Sequence, residues 1–509
     1  MALPRVNVNV QEETLLTNNS IIPFVPAILM KTKSGPIGTI ETITSEAQFR
    51  ALFGNSDYTV PSAYAIQVYL RSYAYVLVTR LANENEAAFG TATLKAVIPA
   101  EQEGADPTEL DLITIKTDYK TDMFNGKEIK LVYDGTSHKL WVDLSAITGK
   151  NTISIKEDFT PDTDKAPRLE EVLNKLVASV NSAKLGFTLT NVYVDKVETD
   201  LVPPLKVFTD EIITNVQNGN SGNTTDLDTS KVNEMINMYD LPDRNLDVMV
   251  IPEYTNYEVV NHATALALKN NFIVLVAAHK TSTESIENVI SNYSTDNRGS
   301  LALYYPDVHY RGFVDNNGNP VNIPVSIAVL HAYARNDIAA KWGAPAGVNR
   351  GNLTLVNELA EVISEDEISK LYDSTIPVNC LNNISGKGFI VWGNKTATGT
   401  SNFFDRINVS RLVKYITKQA YNISWNYIFE PISDAIYADW TIKVDSFLRT
   451  IKESYGIEAY EVIMDDTINT PETIAANQLN GIIRIKPQEV AEYINIDFRI
   501  TDTIEVTVG

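Results

Sequence analysis

Phosphate binding is the first chemistry to consider, because three glycines, Gly343, Gly347 and Gly351, lie close together in the run KWGAPAGVNRG. A Walker loop has the order Gly-x-x-x-x-Gly-Lys-Ser/Thr after a strand, so that backbone amides and the lysine reach the phosphates. Here no Lys-Ser or Lys-Thr pair follows the glycines, and the preceding segment has the pattern of a helix. The three-glycine fingerprint of dinucleotide-binding folds is also absent from the sequence. The glycines therefore do not form a recognisable nucleotide-binding motif.

Hydrolytic chemistry has no clearer signature. The nucleophile elbow Gly-x-Ser-x-Gly is absent, and its nearest approach, Ser221 in GNSGN, lies in a polar loop. The histidines stand singly, so the paired spacing of helical zinc sites is not met. A triad around His262 or His279 stays open, because such triads assemble across long sequence separations. From the residues we predict no catalytic residue, no metal site and no cofactor.

Composition and charge exclude several classes of protein. The chain has 509 residues, enough for about two to four domains, and a net charge of -22. Such a surplus of carboxylates argues against broad binding of nucleic acid or anionic membranes. The single cysteine, Cys380, excludes an internal disulfide, and we interpret it as a buried hydrophobic residue of a protein made in a reducing cytoplasm. No secretion signal or run of roughly 20 apolar residues is present, so we expect an unexported chain.

Both ends of the chain have the alternating pattern of β-strands. The alternating apolar residues are Val6, Val8 and Val10 near the start, and Ile496, Phe498, Ile500, Ile504, Val506 and Val508 near the end. A lone strand is not stable in water, so each must join a sheet, either in its own subunit or in another. These two segments are therefore candidate arms.

Between the two arms, the pattern of predicted strands and helices changes along the chain. Short apolar runs such as NFIVLVAA alternate with helical stretches, which is typical of a parallel sheet buried on both faces. Closely spaced strand patterns interrupt this α/β pattern in the first half of the chain, and longer predicted helices follow it in the C-terminal region. The predicted division is an N-terminal arm over 1–22, a discontinuous α/β core over 23–89 and 201–350, an inserted β-rich domain over 90–200, a C-terminal α+β domain over 351–493 and a C-terminal strand arm over 494–509.

Three segments of the C-terminal region read as helices: LTLVNELAEVISEDEISKLYDS, INVSRLVKYITKQAYNISWNYIF and SDAIYADWTIKVDSFLRTIKESYG. In the last, apolar residues recur at helical spacing from Ile436 to Ile451, which predicts a core-facing stripe. Lys443, Arg449 and Lys452 lie elsewhere on the same cylinder. From the residues alone these cations are either ordinary solvated surface or a contact with a partner.

The ordered segments resemble the sheath proteins of contractile tails, as in myophages and tailocin-type injection particles. The matching runs, in chain order, are GPIGTIETITSEAQFRALFG with VLVTRLA, SLALYYPDV, NIPVSIAVLHAYARNDIAAKWGAPAG, VNCLNNISGKGFIVWGNKTA, RINVSRLVKYI, and YIFEPISDAIYADWTIKVDSFL with DDTINT. One departure is Ser410, which stands where the family has the first arginine of a Val-Arg-Arg motif, while Arg411 is retained. The resemblance covers most of the chain outside the inserted β-rich domain.

The resemblance implies a multidomain fold that is α/β plus α+β. Its parts are a subtilisin-like α/β core without catalysis, an inserted mainly-β, sandwich-like domain, an α+β C-terminal domain and extended β arms. In this family the arms complete sheets on neighbouring subunits, and residues 14–20 and 501–503 are plausible hinges. Tube contact through a charged helix of the C-terminal domain is also implied, which favours Lys443, Arg449 and Lys452 as inner-tube contacts.

The resemblance implies a structural function without enzymatic activity. Sheath subunits form stacked hexameric rings around an inner tail tube, contact baseplate and tail terminator proteins, and contract to drive the tube through a target envelope. The implied location is a virion or phage-tail-like particle assembled in the host bacterial cytoplasm, with no direct contact to nucleic acid or membrane. A subtilisin-like hydrolase, a tail tube protein and a surface-layer subunit are the alternatives.

The run KWGAPAGVNRG then takes a different meaning. It follows a predicted helix and precedes the C-terminal region, so we interpret it as the junction between two domains. We expect Trp342 to pack, Pro345 to end the helix, and Gly343 and Gly347 to permit a tight path.

Overall fold

The computed structural model describes residues 24–98, 108–134, 136–137, 139–148, 154–158, 169–193, 211–223, 225–240, 245–280, 285–297, 299–399 and 402–492. The predicted arm residues lie outside these ranges, namely Val6, Val8, Val10, Ile496, Phe498, Ile500, Ile504, Val506 and Val508. The strand-arm interpretation therefore stays a prediction.

Strands and helices alternate over most of the described chain. The strands are β1 (Pro26–Met30), β2 (Ile40–Ile43), β3 (Val76–Arg80), β4 (Phe89–Ile98), β5 (Thr108–Lys120), β6 (Glu128–Asp134), β7 (Lys139–Asp143), β8 (Ser154–Asp158), β9 (Phe187–Asn191), β10 (Glu211–Asn215), β11 (Val248–Val250), β12 (Ile273–Ala277), β13 (Leu301–Tyr305), β14 (Val308–Val314), β15 (Pro320–Ile323), β16 (Val356–Leu359), β17 (Val378–Ile384), β18 (Gly388–Trp392), β19 (Ile457–Ile463) and β20 (Ile482–Pro487). The helices are α1 (Glu46–Phe53), α2 (Pro61–Tyr69), α3 (Ser145–Thr148), α4 (Leu169–Ser182), α5 (Thr229–Asn237), α6 (Tyr257–Asn270), α7 (Ile286–Ile290), α8 (Val325–Ala328), α9 (Leu330–Ala339), α10 (Gly347–Arg350), α11 (Glu365–Tyr372), α12 (Ile407–Trp425), α13 (Asp434–Glu453) and α14 (Pro471–Ala475). Within the described ranges, no helix is both long and apolar enough to cross a bilayer.

A mainly parallel sheet forms the centre of the molecule. Its strand order over the described residues is β18-β17-β13-β12-β11-β1-β3-β2, and the edge strands β2 and β18 pair antiparallel to their neighbours. Alternate side chains enter two different cores: Ile28 and Val250 face one, while Leu29 and Met249 face the other. Every residue of β1, β12 and β13 is buried, which confirms the sheet predicted from continuous apolar runs.

A β-rich unit lies beside the central sheet. Strands β4, β5 and β9 form one antiparallel sheet, and β10, β6, β7 and β8 form another. Both sheets and α4 contribute to a single core, with Leu131, Leu173 and Leu189 among its buried members. Strand β10 pairs with β6, so this unit continues past the predicted end at residue 200.

The central sheet also continues past the predicted boundary at residue 351. Strand β17 pairs in parallel with β13 and β18 pairs with β17. The reason is that Val378, Cys380 and Leu381 are apolar and fully buried within the sheet layers. The division into domains therefore stays a prediction, with these two boundaries differing from those of the sheets.

One predicted helix is wrong over its first half. The segment LTLVNELAEVISEDEISKLYDS contains strand β16, which pairs with β14, and only then helix α11. The hydroxyl of Ser364 accepts a hydrogen bond from the Glu367 amide at 3.2 Å, and this cap begins the helix at Glu365. Helix α1 begins in the same way, since Ser45 accepts a hydrogen bond from the Gln48 amide, and Gly54 ends the helix with φ of 78°.

Two long helices and a β-hairpin form the C-terminal part. Helices α12 and α13 pack on the two-stranded sheet of β19 and β20 around one apolar core. Trp440, Val444, Leu448 and Ile451 are buried along α13. This confirms the core-facing stripe predicted from the helical spacing.

Candidate functional site

The run KWGAPAGVNRG, which we call the junction segment, follows helix α9. The chain turns at its start, before Pro345 is reached. Helix α9 ends at Ala339, and the side-chain amide of Asn336 donates to the carbonyls of Ala340 and Gly343 at 3.1 and 3.0 Å. The expectation that Pro345 ends the helix is therefore wrong, because the Asn336 side chain satisfies the turn before Pro345 is reached. A Cβ at Gly343 would lie 2.4 Å from the Asn336 side chain, so close approach requires glycine there. Gly347 has φ of 75°, which also favours glycine.

Trp342 fastens this segment to the C-terminal helices. Its indole Nε1 donates to the carbonyl of Ser454, at the end of α13, at 3.0 Å. Its ring lies 6.3 Å from the ring of Tyr415 on α12. A Cβ at Gly456 would approach the indole to 3.0 Å, so a glycine leaves room for the ring. The junction segment thus contacts both long helices.

Next to Trp342 lies a network of buried charges, which we call the buried ionic junction: Asp247, Asp337, Lys341 and Arg411. Lys341 Nζ lies 3.1 Å from Asp247 and 3.8 Å from Asp337, and Arg411 lies 2.6 Å from Asp337. Side-chain exposure is 5% for Arg411 and 3% for Asp337. The network joins the start of β11, the end of α9 and the first turns of α12.

The environment shifts the pKa of each carboxyl in this network differently. Burial opposes ionisation of Asp247, but the neighbouring charges of Lys341, Lys418 and Arg411 outweigh it and lower its pKa. Burial dominates at Asp337, and the nearby Asp247 charge adds to it, so its pKa is raised. Burial also works against the Arg411 charge, yet the two carboxylates raise its pKa. The guanidinium therefore remains the fixed charge of the junction.

Both ends of the described chain are held close to the start of α12, one by the buried ionic junction and the other by Arg406. The backbone amide of Val25 donates to Asp247 at 3.0 Å, and the Phe24 ring lies 5.9 Å from the Arg411 guanidinium. At the other end Glu492 lies 2.6 Å from Arg406, the residue that precedes α12. These anchors were not predicted from the sequence. The run RINVSRL contained the signal, since both arginines lie in it.

The serine that departs from the family motif is fixed by its surroundings. Ser410 is fully buried, and its hydroxyl donates to the carbonyl of Gly299 at 2.8 Å. Gly299 has φ of 71°, and a Cβ there would lie 2.6 Å from the serine hydroxyl. The space between these residues therefore fits serine and not an arginine side chain.

The structure brings the three predicted tube-contact cations onto α13. Lys443 lies 2.8 Å from Asp439, and Arg449 lies 2.6 Å from Asp445, each pair one helical turn apart. Lys452 Nζ lies 6.0 Å from the centre of the Tyr460 ring. These side chains are thus engaged within the chain, and their contact with a tube stays a prediction.

The histidines considered for a triad have other partners. Nε2 of His279 lies 2.9 Å from Asp307, and Nε2 of His262 lies 2.8 Å from the side chain of Asn237. Among the described residues, no serine hydroxyl is hydrogen-bonded to either ring. Cys380 is fully buried, and burial raises the pKa of its thiol to about 12, which keeps it protonated and unreactive.

Comparison with known proteins finds relatives of one kind. No protein-family model matches the chain. A tail sheath protein of Vibrio phage KVP40 is 32% identical over 177 residues, which are 35% of this chain and 26% of that protein. A tail sheath protein of Enterobacteria phage T4 is 29% identical over 231 residues, which are 43% of this chain and 35% of that protein. The chain is therefore related to phage tail sheath proteins, as its motifs predict, and spans about a quarter to a third of the length of these relatives.

Solved structures share the fold over most of the chain. A sheath tail protein from Desulfitobacterium hafniense matches with a TM-score of 0.56 at 10% identity, over 90% of this chain and 93% of that one. The helical sheath of the anti-feeding prophage in its contracted state matches with a TM-score of 0.52 at 13% identity, over 98% and 97% of the two chains. At these identities the likeness concerns the fold alone, which is the mixed α/β, multi-sheet fold of tail sheath proteins.

Proposed function

We propose that this chain is a structural subunit of a contractile tail sheath, which polymerises around an inner tube and contracts to drive the tube through a target envelope. The observation that carries the proposal is its sequence relationship to two phage tail sheath proteins. The shared fold over nearly the whole chain agrees with it. The proposed subunit is not an enzyme and needs no cofactor.

The C-terminal hairpin is the proposed docking place for a neighbour's arm. Strands β19 and β20 pair only with each other among the described residues. A two-stranded sheet has an unpaired edge on each side, and an extended segment can add to such an edge through backbone hydrogen bonds. The predicted arms, 1–22 and 494–509, have the strand pattern that this addition requires.

The finer architecture belongs to the same proposal. We infer that the central sheet is the subtilisin-like core, that the unit of β4 to β10 is the inserted sandwich-like domain, and that α12, α13 and the hairpin form the α+β C-terminal domain. A fold-level likeness carries no catalysis with it. The hydrolase alternative is not favoured, because the relatives are tail sheath proteins and no serine hydroxyl of the described residues is hydrogen-bonded to the ring of His279 or His262.

The proposed partners follow from the proposed assembly. They are further copies of this chain in stacked hexameric rings, the inner tail tube protein, and baseplate and tail terminator proteins. Lys443, Arg449 and Lys452 are the proposed tube contacts. There the ion pairs that Lys443 and Arg449 make on α13 would exchange partners. Exposed ion pairs are worth about 0–1 kcal/mol each, so many subunits can hold a tube and still release it. The proposed location is a phage or phage-tail-like particle assembled in the bacterial cytoplasm.

Electron microscopy of the purified full-length chain tests this function. We expect hollow cylinders whose lumen is wide enough for an inner tube. Narrow tubes without that lumen would indicate a tail tube protein, flat lattices would indicate a surface-layer subunit, and either would contradict the proposal.

Deletion of the arms tests the proposed strand exchange. Removing residues 1–11, or the residues after 495, should leave folded monomers that do not polymerise, as measured by sedimentation and circular dichroism. If truncated chains still form normal cylinders, the arms do not join the subunits.

A further inference from the structure

Arg80 is a buried charge at the point where the chain leaves the central sheet. It is the last residue of β3, and its side chain is fully buried. The next strand along the chain, β4, already belongs to the β-rich unit. Burial lowers the pKa of the guanidinium to about 10, so it stays charged at neutral pH. Because burying a charge is costly unless hydrogen bonds compensate it, the acceptors around Arg80 show what it does.

The guanidinium donates to three carbonyls that lie far apart in the sequence. Nη1 donates to the carbonyl of Gly35 at 2.6 Å and to that of Lys120 at 3.0 Å, and Nη2 donates to the carbonyl of Ser221 at 2.6 Å. Gly35 follows β1 of the central sheet, Lys120 ends β5 of the β-rich unit, and Ser221 lies on the segment that follows β10. One charged side chain therefore bonds the central sheet to two separate segments of the β-rich unit.

The segments around Arg80, which we call the neck, are also bonded to each other. The neck consists of residues 81–91, 120–125 and 216–223. Its first and last segments run side by side, and the amide of Asn83 donates to the carbonyl of Gly222 at 2.8 Å. Further along, Ala88 and Asn220 exchange backbone hydrogen bonds at 2.9 and 3.0 Å. The two crossings of the chain thus form a short paired ribbon.

The middle segment of the neck contacts both the central sheet and this ribbon. The hydroxyl of Thr121 donates at 2.8 Å to the carbonyl of Lys33, which follows β1. The side-chain amide of Asn125 donates to the Gly219 carbonyl at 2.7 Å and its oxygen accepts from the Gly219 amide at 3.0 Å. A Cβ at Gly219 would lie 2.0 Å from the Thr121 carbonyl oxygen. The segments therefore approach as closely as a glycine permits.

Domains that are joined by short connections move relative to each other by default, unless their contact is extensive. In the neck, three segments are in direct contact, and their bonds to the central sheet meet at one charged donor, which makes strong hydrogen bonds. We propose that Arg80 fixes the β-rich unit to the central sheet, so that the two move as one rigid body. This inference goes beyond the proposed function and does not rest on it, because it concerns a single unassembled subunit.

The distance between two spin labels measures how firmly the β-rich unit is held. Ala178 on α4 and Ala265 on α6 are exposed, so Ala178→Cys and Ala265→Cys each provide a labelling site, while the buried Cys380 does not react. The labelled full-length chain is diluted with unlabelled chain, so that neighbouring copies do not contribute. Pulsed electron paramagnetic resonance should then give one narrow distance peak. A broad distribution in this chain, in which Arg80 is intact, would overturn the proposal.

Substitutions of Arg80 test the residue itself. Arg80→Met keeps the apolar stem but removes the three hydrogen bonds, so the narrow peak should be lost and replaced by a broad distribution. Arg80→Lys keeps the cation but presents one nitrogen in place of a planar fork; it is better able to fold and should also broaden the peak. The matched control is Arg449→Met on α13, at a side chain that is 64% exposed, which should leave the peak unchanged.

Circular dichroism and urea unfolding of the same samples separate position from stability. If either Arg80 variant is folded and less stable but keeps the narrow peak, the guanidinium only stabilises the fold, and the proposal is contradicted. Broadening in a variant that retains the native circular dichroism spectrum supports it. If Arg80→Met does not fold, Arg80→Lys and the chain with intact Arg80 still decide the question.

Discussion

Replacing Arg411 with methionine is the sharpest test of the buried ionic junction. The guanidinium lies 2.6 Å from Asp337 and 4.9 Å from the centre of the Tyr333 ring. Methionine retains much of the apolar stem and removes the charge. Among the described residues, Asp337 then keeps only the more distant Lys341, at 3.8 Å, as a cationic neighbour. The substitution therefore leaves a buried carboxylate that is poorly compensated.

The size of the effect follows from this burial. Removing one partner of a buried ion pair typically costs about 3–5 kcal/mol. Because Lys341 still offsets part of the Asp337 charge, we expect the lower end of that range, a fall of about 3 kcal/mol in the free energy of unfolding. The matched control is Lys443→Met. Lys443 and Asp439 are 49% and 54% exposed, and loss of such a pair costs about 0–1 kcal/mol.

Urea unfolding of the unassembled full-length chain, followed by circular dichroism and tryptophan fluorescence, measures both variants under the same conditions. The double variant Arg411→Met with Asp337→Leu removes both charges and should be more stable than Arg411→Met alone, because no unpaired carboxylate remains. If Arg411→Met loses no more stability than Lys443→Met, the junction does not stabilise the fold. If the two substitutions simply add, the pair does not act as a unit.

Three further substitutions test separate parts of the structure. Gly299→Ala should destabilise the chain by more than about 2 kcal/mol, because it combines backbone strain with a clash against Ser410; thermal unfolding measures it, and a neutral effect would contradict the close contact. Trp342→Phe keeps an aromatic ring but loses the hydrogen bond to the Ser454 carbonyl, so urea unfolding should show a loss of about 1 kcal/mol, whereas no loss would mean that the bond contributes nothing. In the third test, burial raises the pKa of Glu253 from 4.5 to about 7. The folded state therefore favours the neutral carboxyl group, which contributes its full stability below pH 4.5. That stability is lost as the pH rises from 4.5 through about 7. Relative to Glu253→Gln, the wild type should therefore lose up to about 3 kcal/mol of stability over that interval, and parallel pH profiles of the two chains would refute the assignment.

Local signals in the sequence predict the elements well where one pattern dominates. The strand Ile273–Ala277 is a continuous apolar run, and α13 has a regular helical stripe, so both are recognisable without neighbours. The strand Val356–Leu359 is misread because its apolar residues fit either period, and its pairing with β14 decides the outcome. Propensity alone does not contain that long-range contact.

The buried ionic junction was beyond sequence reasoning for a related reason. Asp247 and Lys341 are 94 residues apart, and Asp337 and Arg411 are 74 apart. Charged residues are mostly exposed, so each is interpreted by default as solvated surface. Only the fold shows that these four charges share one interior space. The departure at Ser410 was visible in the sequence, but its reason, the contact with Gly299, was not.

The convergence of these contacts on α12 bears on how the proposed sheath would move. Arg411 connects that helix to α9 and to the entrance of the N-terminal arm, while Arg406 holds Glu492 before the C-terminal arm. Rotation of α12 against the central sheet would separate buried charges, which is far more costly than breaking exposed ion pairs. The sheet and the C-terminal helices should therefore move as one body when the proposed sheath contracts. The rearrangement between subunits then has to occur beyond the anchors, which is where the sequence predicts hinges, at residues 14–20 and 501–503.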